Sequence, residues 1–389
     1  MLKVAISTGT RADYFLLLPL MQAVQKHPDM QLQIIASSMH FSSEFGQTYE
    51  QIEKDGLTID EKVEMLISSD SAIGIAKSIG VGVIGFADAL NRLKPDTLIV
   101  LGDRFESLSI AQTAMIMNIP ITHLHGGELS EGSYDDSIRH SITKMAGLHF
   151  VSTDVYRNRV IQMGENPSRV FNVGAIGVDR LRKKKFLSSS QLTKLLQFDC
   201  SSSYFLVCYH PATHADEDPA DGIKNIISTL IDSYEDKILV SYPNADSGGG
   251  TIIKEINKFE ELYPDRIFTF KSLSDDSFLS VIKNSKVFIG NSSSGIIEAP
   301  SLGVLSINVG SRQKGRIKAE TVIDSSIDKQ DLSSKVAYCI SKNLNLNLVS
   351  KDNPYEKRDT VSKILEIISS CDLTQPKSFF DASKANDHV

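Results

Sequence analysis

The chain has 389 residues, more than one ordinary core holds, so two domains of roughly 150–200 residues are expected. Its 41% apolar and 23% charged residues are those of a soluble globular protein rather than a disordered or fibrous one. Lys plus Arg at 41 against Asp plus Glu at 48 gives a net charge of −7, which argues against a nucleic-acid or acidic-membrane surface and leaves any anionic ligand to local donors.

The chain opens with a strand pattern at Leu2–Ser7, the loop GTRADY and an apolar-periodic helix, FLLLPLMQAVQKH, ended by Pro28–Asp29. Leu32–Ser37 reads as a second strand, followed by the loop SSMHFSSEFG and a short helix near Tyr49–Lys54. After Lys62–Leu66 comes a glycine-sprinkled helical stretch, then a strand over Thr97–Leu101 ending in GDRFE and a helix over Ser107–Met117. Strand, loop and helix keep alternating, which predicts a parallel doubly wound sheet. Ile119–Thr122, continuing into HLH, is a further buried strand, after which Gly126–Gly127 allows a sharp turn.

The same grammar restarts after about Gly174. Strands are predicted at Tyr204–Tyr209, Ile238–Tyr242, Arg266–Phe270, Val287–Ile289 and Val304–Val309, with helices over Gly222–Tyr234, Ile252–Leu262 and Phe278–Asn284. Residues 176–200 read as the passage between two units, and Lys357–Ser370 as a closing helix. The expected division is 1–175 with 372–389 packing back on it, and 176–371. Cys200, Cys208, Cys339 and Cys371 have no CxxC or CxxH spacing, so they read as reduced thiols of a cytoplasmic protein, without a metal site. The N terminus is unlike a signal peptide, and no apolar run approaches the ~18–20 residues of a membrane span.

The window HLHGGELSEGSYDDSIRH, His123 to His140, carries four carboxylates (Glu128, Glu131, Asp135, Asp136) and three histidines directly after a strand. Asp135 and Asp136 fall where a helix begins, so capping is one reading; an active site at a strand end is the other. GNSSSGIIEAP places Ser292, Ser293 and Ser294 at a predicted helix N terminus after a strand, where hydroxyls, N–H groups and the dipole favour phosphate, with Glu298 one turn on as a candidate for ribose hydroxyls. Arg11, Arg104 and Arg312 each follow a strand end, as do His40 and His210, and Asp103 precedes Arg104. Neither GxGxxG with a following acidic residue nor GxxxxGK[ST] is present, which disfavours a nicotinamide site and a P-loop.

Together GTRADY, the His of SSMHF, LGDRFE, HLHGGE with DDSIRHSITK, the HP after a strand, YPNADSG, GNSSSGIIEAP and GSRQKGR resemble the hydrolysing UDP-N-acetylglucosamine 2-epimerase family of sialic-acid-type biosynthesis, over nearly the whole chain. The resemblance implies two Rossmann-like domains facing a central cleft, as in B-type glycosyltransferases, with the C-terminal helix crossing back. It implies a UDP-sugar substrate, no cofactor, no metal, and a homo-oligomer, dimer or tetramer. By residue it assigns Ser292, Ser293 and Arg312 to the phosphates and Glu298 to the ribose, with Ser294 and Asn244 also substrate-binding. Arg11, His40, Arg104 and His210 would line the sugar–pyrophosphate region, and Asp103, Asp135 and Asp136 would be catalytic. His125 stands where relatives with HIEGGE have Glu, and is a candidate for that Glu's proton-transfer role.

The implied reaction eliminates UDP across sugar carbons 1 and 2 and rehydrates the glycal with inversion at carbon 2. UDP-N-acetylglucosamine is the first expectation for the substrate, with UDP-N,N′-diacetylbacillosamine of legionaminic acid synthesis as the alternative and a B-type glycosyltransferase as a remote one.

Overall fold

A computed structural model describes residues 1–43, 46–67, 71–212, 218–243, 248–343 and 353–381. The chain forms two compact α/β units, the first made of Met1–Glu128, Asp135–Asp179 and Lys357–Val389, the second of Leu129–Tyr134 and Arg180–Glu356.

Unit 1 is built on β1 (Leu2–Thr8), β2 (Met30–Ser37), β3 (Glu61–Val63), β4 (Thr97–Leu101), β5 (Ile121–Leu124), β6 (Leu148–Val151) and β7 (Val170–Asn172). These pair in parallel in the order β3-β2-β1-β4-β5-β6-β7. Helices cover both faces, so the strands read as apolar runs rather than alternations: Thr97–Leu101 is TLIVL, buried throughout. On one face the helix Arg11–Lys26 sets Tyr14, Leu17, Leu20, Met21 and Val24 against Val4, Ile6 and Ile34. Ile364 and Ile368 of the closing helix, Thr360–Ser370, enter the same core.

That packing corrects the expected division at 371/372. Fully burying a Leu or Ile side chain stabilises by ~1.5–3 kcal/mol, and this helix buries its isoleucines in unit 1, so the return begins at Lys357. The expected passage 176–200 is also corrected: Ile176–Asp179 belongs to unit 1, while the helix Ser189–Leu196 buries Leu192 beside Phe198 and Cys200 in a core of unit 2.

The expectation that no apolar run approaches a membrane span is corrected at the helix Ala72–Leu93, which is long and apolar enough to cross one by length and composition. In unit 1 one side of it packs against protein. A side chain at Gly82 would lie 2.7 Å from Met65 Cε, and one at Gly85 2.7 Å from Val63 Cγ1. The glycines are what let the helix approach β3 and the segment after it.

Unit 2 comprises β8 (Tyr204–Cys208), β9 (Lys237–Ser241), β10 (Ile267–Phe270), β11 (Phe288–Gly290), β12 (Ser306–Val309) and β13 (Val322–Ser325). They pair in parallel in the order β10-β9-β8-β11-β12-β13. Each sheet therefore reverses its strand order at one place, between β1 and β4 in unit 1 and between β8 and β11 in unit 2, and ligands of open parallel sheets bind outside the carboxyl ends at such points.

Candidate active site

At the β1 end of unit 1, Thr10 and Asp13 form a reciprocal cap on the helix Arg11–Lys26. The Asp13 carboxylate accepts N–H bonds from Gly9 at 2.9 Å and Thr10 at 2.8 Å, and the hydroxyls of Thr8 at 3.0 Å and Thr10 at 2.8 Å. The GTRAD turn is rigid for that reason, and it presents Arg11 at the first helical position, its guanidinium 5.3 Å from the Phe15 ring centroid. His40 is buried between Thr8 Oγ1 at 3.0 Å and Thr48 Oγ1 at 2.8 Å. Burial lowers its pKa to about 4 against the pull of the Asp13 charge, so the ring is neutral.

Arg104 follows β4 and donates from Nε to Glu106 Oε1 at 2.7 Å. Glu106 is buried, and burial raises its pKa although Arg104 opposes the shift. It packs on Gly9, where a Cβ would lie 2.3 Å from Glu106 Cγ, so glycine is required for this approach.

The β5 end carries His123, which is fully buried. Its Nε2–H donates to the Gly102 carbonyl at 2.8 Å, leaving Nδ1 to accept from Thr143 Oγ1 at 3.2 Å. Burial brings its pKa down to about 3, and the neutral ring ties the end of β4 to the helix Asp135–Met145. His125 has a left-handed backbone, φ 64°. Its Nδ1 lies 3.0 Å from Glu128 Oε1, and its Nε2 accepts the Ile176 N–H at 3.4 Å. Glu128 is buried and also accepts from Ser152 Oγ at 2.8 Å. Nδ1 of His125 thus serves the turn, while Nε2 faces the backbone at Ile176, and the ring is held in place at the β5 end.

Asp135 and Asp136 occupy the first turn of the helix Asp135–Met145, and Arg139 lies one turn along, 1% exposed. Its Nη2 pairs with Asp103, while Nη1 binds Asp136 Oδ1 at 3.3 Å and the Glu128 carbonyl at 2.8 Å. His140 Nε2 lies 3.4 Å from Asp136 Oδ2. One guanidinium therefore brings together a carboxylate from the β4 end and one from the helix, each with its side chain 22% exposed. Two carboxylates so placed can stabilise a developing positive charge and move protons.

In unit 2 the β8 and β11 ends are joined by Asn291. The His210 N–H donates to Asn291 Oδ1 at 2.7 Å, and Asn291 Nδ2 donates back to the His210 carbonyl at 2.8 Å. The Asn291 carbonyl accepts Arg312 Nη1 at 3.0 Å and Gln313 Nε2 at 2.9 Å, which brings the loop after β12 to the same place. Gly290, at φ 138°, passes so close to Cys208 that a Cβ would lie 2.0 Å from its carbonyl oxygen.

The helix expected after GNSSSG is corrected to one turn, Ser294–Ile297, followed by a 3-10 turn at Pro300–Leu302. A proline supplies no N–H, so the α-helical ladder stops, and little macrodipole remains for an anion. What remains is geometry. Among the described residues no acceptor meets the backbone N–H of Ser292 or Ser293, and Arg312 is anchored beside them through Asn291. Glu298 is buried, with Oε1 3.8 Å from Arg180 Nη2, and Arg180 in turn binds Asp275 at 2.7 Å. The short segment Leu129–Tyr134 belongs to this unit, with the Glu131 N–H on the Lys314 carbonyl at 3.2 Å.

Of the residues expected at a site, Arg11, His40, Asp103, Arg104, His125, Asp135 and Asp136 lie at strand ends of unit 1 or just beyond. His210, Ser292, Ser293, Ser294, Glu298 and Arg312 do so in unit 2, and Asn244 lies outside the described residues. The sequence reading assigned no role to Asp13, Glu106, Arg139 or Asn291. Signals existed for two of them: Thr10-x-x-Asp13 is a capping-box spacing, and Arg139 is at i+3 from Asp136. Nothing local marks Asn291, whose partners follow other strands, or the packing of Glu106 on Gly9 at the end of β1.

A family model described as UDP-N-acetylglucosamine 2-epimerase matches residues 22–369. The chain is 39% identical over 329 residues, 85% of each chain, to the Campylobacter jejuni protein named GDP/UDP-N,N′-diacetylbacillosamine 2-epimerase (hydrolyzing). It is 35% identical to the Escherichia coli polysialic acid biosynthesis protein P7, covering 98% of this chain and 97% of that one. The Legionella pneumophila UDP-N,N′-diacetylbacillosamine 2-epimerase (hydrolyzing) is 34% identical, over 83% of this chain and 84% of that one. Among solved structures, a Neisseria meningitidis UDP-GlcNAc 2-epimerase bound to UDP-GlcNAc shares the fold with a TM-score of 0.78 at 16% identity, covering 95% of this chain and all of that one.

Proposed function

The chain belongs to the UDP-N-acetylglucosamine 2-epimerase family, and from that premise we propose how its residues divide the work of a hydrolysing UDP-sugar 2-epimerase and which sugar it takes. The enzyme releases UDP. The proposed substrate is UDP-N-acetylglucosamine, converted to UDP and N-acetylmannosamine. A second reading, UDP-N,N′-diacetylbacillosamine, is supported by the names of the Campylobacter and Legionella relatives.

The observation that carries the assignment is the Asp103–Arg139–Asp136 cluster. The carbon 2 proton has no carbonyl beside it to acidify it, so cleavage of the anomeric C–O bond leads, the electron pair leaving with UDP and positive charge building on the ring. Asp103, Asp135 and Asp136 stabilise that charge, and one of them takes the carbon 2 proton as the glycal double bond forms. Water then adds hydroxyl to carbon 1, and a proton returns to carbon 2 on the opposite face. The leaving pyrophosphate is assigned to Arg312 and the N–H and hydroxyl groups of Ser292 and Ser293, with Ser294 at their edge. Glu298 is assigned to the ribose hydroxyls, and Arg11, His40, Arg104 and His210 to the sugar–pyrophosphate region.

Side-by-side incubation with the two UDP-sugars, without any acceptor, tests the reading. UDP and a free 2-epimeric sugar from one of them are expected, and the preferred nucleotide names the substrate. Release of UDP only when an acceptor is added would indicate a glycosyltransferase instead.

We further infer a homo-oligomer, dimer or tetramer, and a cytoplasmic location. The first is supported by the helix Ala72–Leu93, which leaves Ile73 68% and Ile84 71% exposed, with Lys77 and Asp88 flanking Val81 and Ile84, so that an antiparallel second copy would meet it with opposite charges. The second is supported by four unpaired cysteines. Ile84→Glu should lower the mass seen by sedimentation.

A further inference from the structure

Beyond Cys371 the chain runs back along unit 1, held first by Arg169 Nη2 on the Asp372 carbonyl at 2.7 Å. At Lys377 it reaches the far end of the helix Asp135–Met145. The Lys377 ammonium donates to the carbonyls of Thr143 at 3.1 Å, Lys144 at 2.8 Å and Ala146 at 2.6 Å. It also pairs with Glu165 Oε2 at 2.7 Å. The last carbonyls of a helix have no partner within it, and a cation there meets the negative end of the dipole. Here a lysine from a distant part of the sequence meets two of them, those of Thr143 and Lys144, together with the Ala146 carbonyl just past the helix.

The site is built to hold that lysine. Glu165 is buried and receives Lys144 Nζ at 2.6 Å and His149 Nε2 at 3.0 Å besides Lys377. Burial works to raise its pKa, but the bonds from His149, Lys144 and Lys377 outweigh it and hold the carboxyl at about 2. The tail is seated next to this cluster: the Phe380 N–H donates to the Gly164 carbonyl at 2.8 Å, and Phe379 lies against Gly164, where a Cβ would come within 2.3 Å of the ring. Lys144 Nζ lies 5.2 Å from the Phe379 ring centroid.

The helix anchored in this way carries Asp135 and Asp136 on its first turn. An α-helix of this length is a stiff rod, so fixing its last turn fixes the position and rotation of its first. We propose that Lys377 is a positioning residue for the catalytic carboxylates: the C-terminal tail locks the far end of the Asp135–Met145 helix and so sets Asp136 against Arg139 and Asp103. The proposal rests on the function assigned above to those carboxylates.

The test uses the full-length chain with Lys377→Met and Lys377→Arg. Lys377→Met is expected to lower kcat by ~10-fold or more, as small misplacements of reacting groups do. UDP affinity by calorimetry should be unchanged, since Ser292, Ser293 and Arg312 belong to unit 2 and Arg11, His40 and Arg104 lie on other elements than the Asp135–Met145 helix, and amide hydrogen exchange in residues 135–146 should accelerate. Lys377→Arg, which keeps the cation and its donors, should recover most of the turnover. Faster exchange with wild-type kcat would overturn the proposal, because the lysine would then only stabilise the helix. Unchanged exchange would overturn it as well. If the wild-type chain released UDP from neither sugar nucleotide, the functional reading would fall, and exchange in residues 135–146 would decide the anchoring on its own.

Discussion

Arg139 and Asp136, one turn apart on the same helix, meet at 3.3 Å, and the same buried guanidinium is the partner of Asp103 at the end of β4. A planar guanidinium can hold two carboxylates at once, whereas an ammonium is a point charge on a flexible stem. Arg139→Lys is therefore expected to keep the charge and lose the geometry, lowering UDP release by ~10²-fold or more while UDP affinity stays unchanged. Arg139→Met should in addition destabilise unit 1 by ~3–5 kcal/mol, as removal of one partner of a buried ion pair does. Wild-type turnover in Arg139→Lys would show that the cluster is structural.

Asp103→Asn and Asp136→Asn should each abolish UDP release under conditions where the variants still bind UDP. Wild-type turnover in deuterated water should place one deuterium on carbon 2 of the product, since protonation there creates the inverted centre. A product without it would exclude elimination and rehydration.

In unit 2, Arg312→Ala should weaken UDP binding by ~1.5–3 kcal/mol, the worth of a hydrogen bond to a charged group. Asn291→Ala should reduce stability as well, because it strands the backbone N–H and carbonyl of His210, each costing ~1–3 kcal/mol when buried and unmet. Calorimetry giving wild-type UDP affinity for Arg312→Ala would remove that residue from the phosphate site.

For His125, both ring nitrogens are engaged and the backbone is left-handed, so its replacement should act on the turn. His125→Asn, which tolerates positive φ, is expected to lower stability by ~1–2 kcal/mol through the lost Glu128 bond and to leave the shape of the pH–rate profile unchanged. A fall in turnover of ~10²-fold together with loss of the acidic limb would instead assign the base to this histidine.

Acid stability follows from His40 and His123, held neutral with pKa values of about 4 and about 3 against 6.5 when unfolded. Below pH 6.5 the unfolded chain takes up protons that the folded chain refuses, so stability falls as pH drops, by up to ~1.4 kcal/mol per pH unit for each ring, until the folded values are reached. Glu165, held at about 2, adds a further loss between its unfolded value of 4.5 and about 2. Thermal unfolding midpoints should decline steadily from pH 6.5 to 4. A flat profile over that range would mean that these histidines are not buried neutral.

The sequence alone determined the class of fold and the order of its parts. Strands such as Thr97–Leu101 and Tyr204–Cys208 are apolar because helices cover both faces of a parallel sheet, and that composition is readable without coordinates. It likewise placed most candidate groups at strand ends, because glycines and charged residues crowd where a buried strand emerges. It missed β6, β7 and β13, which have only three or four residues and are stabilised by their neighbours rather than by any pattern of their own. The tertiary structure decided which groups act together. Asn291 joins the β8, β11 and β12 ends, Glu106 packs on Gly9, and Lys377 closes the end of the Asp135–Met145 helix, binding the Ala146 carbonyl 231 residues earlier. Such partners are set by strand order and by the path of the returning chain, and neither leaves a periodic trace along the sequence.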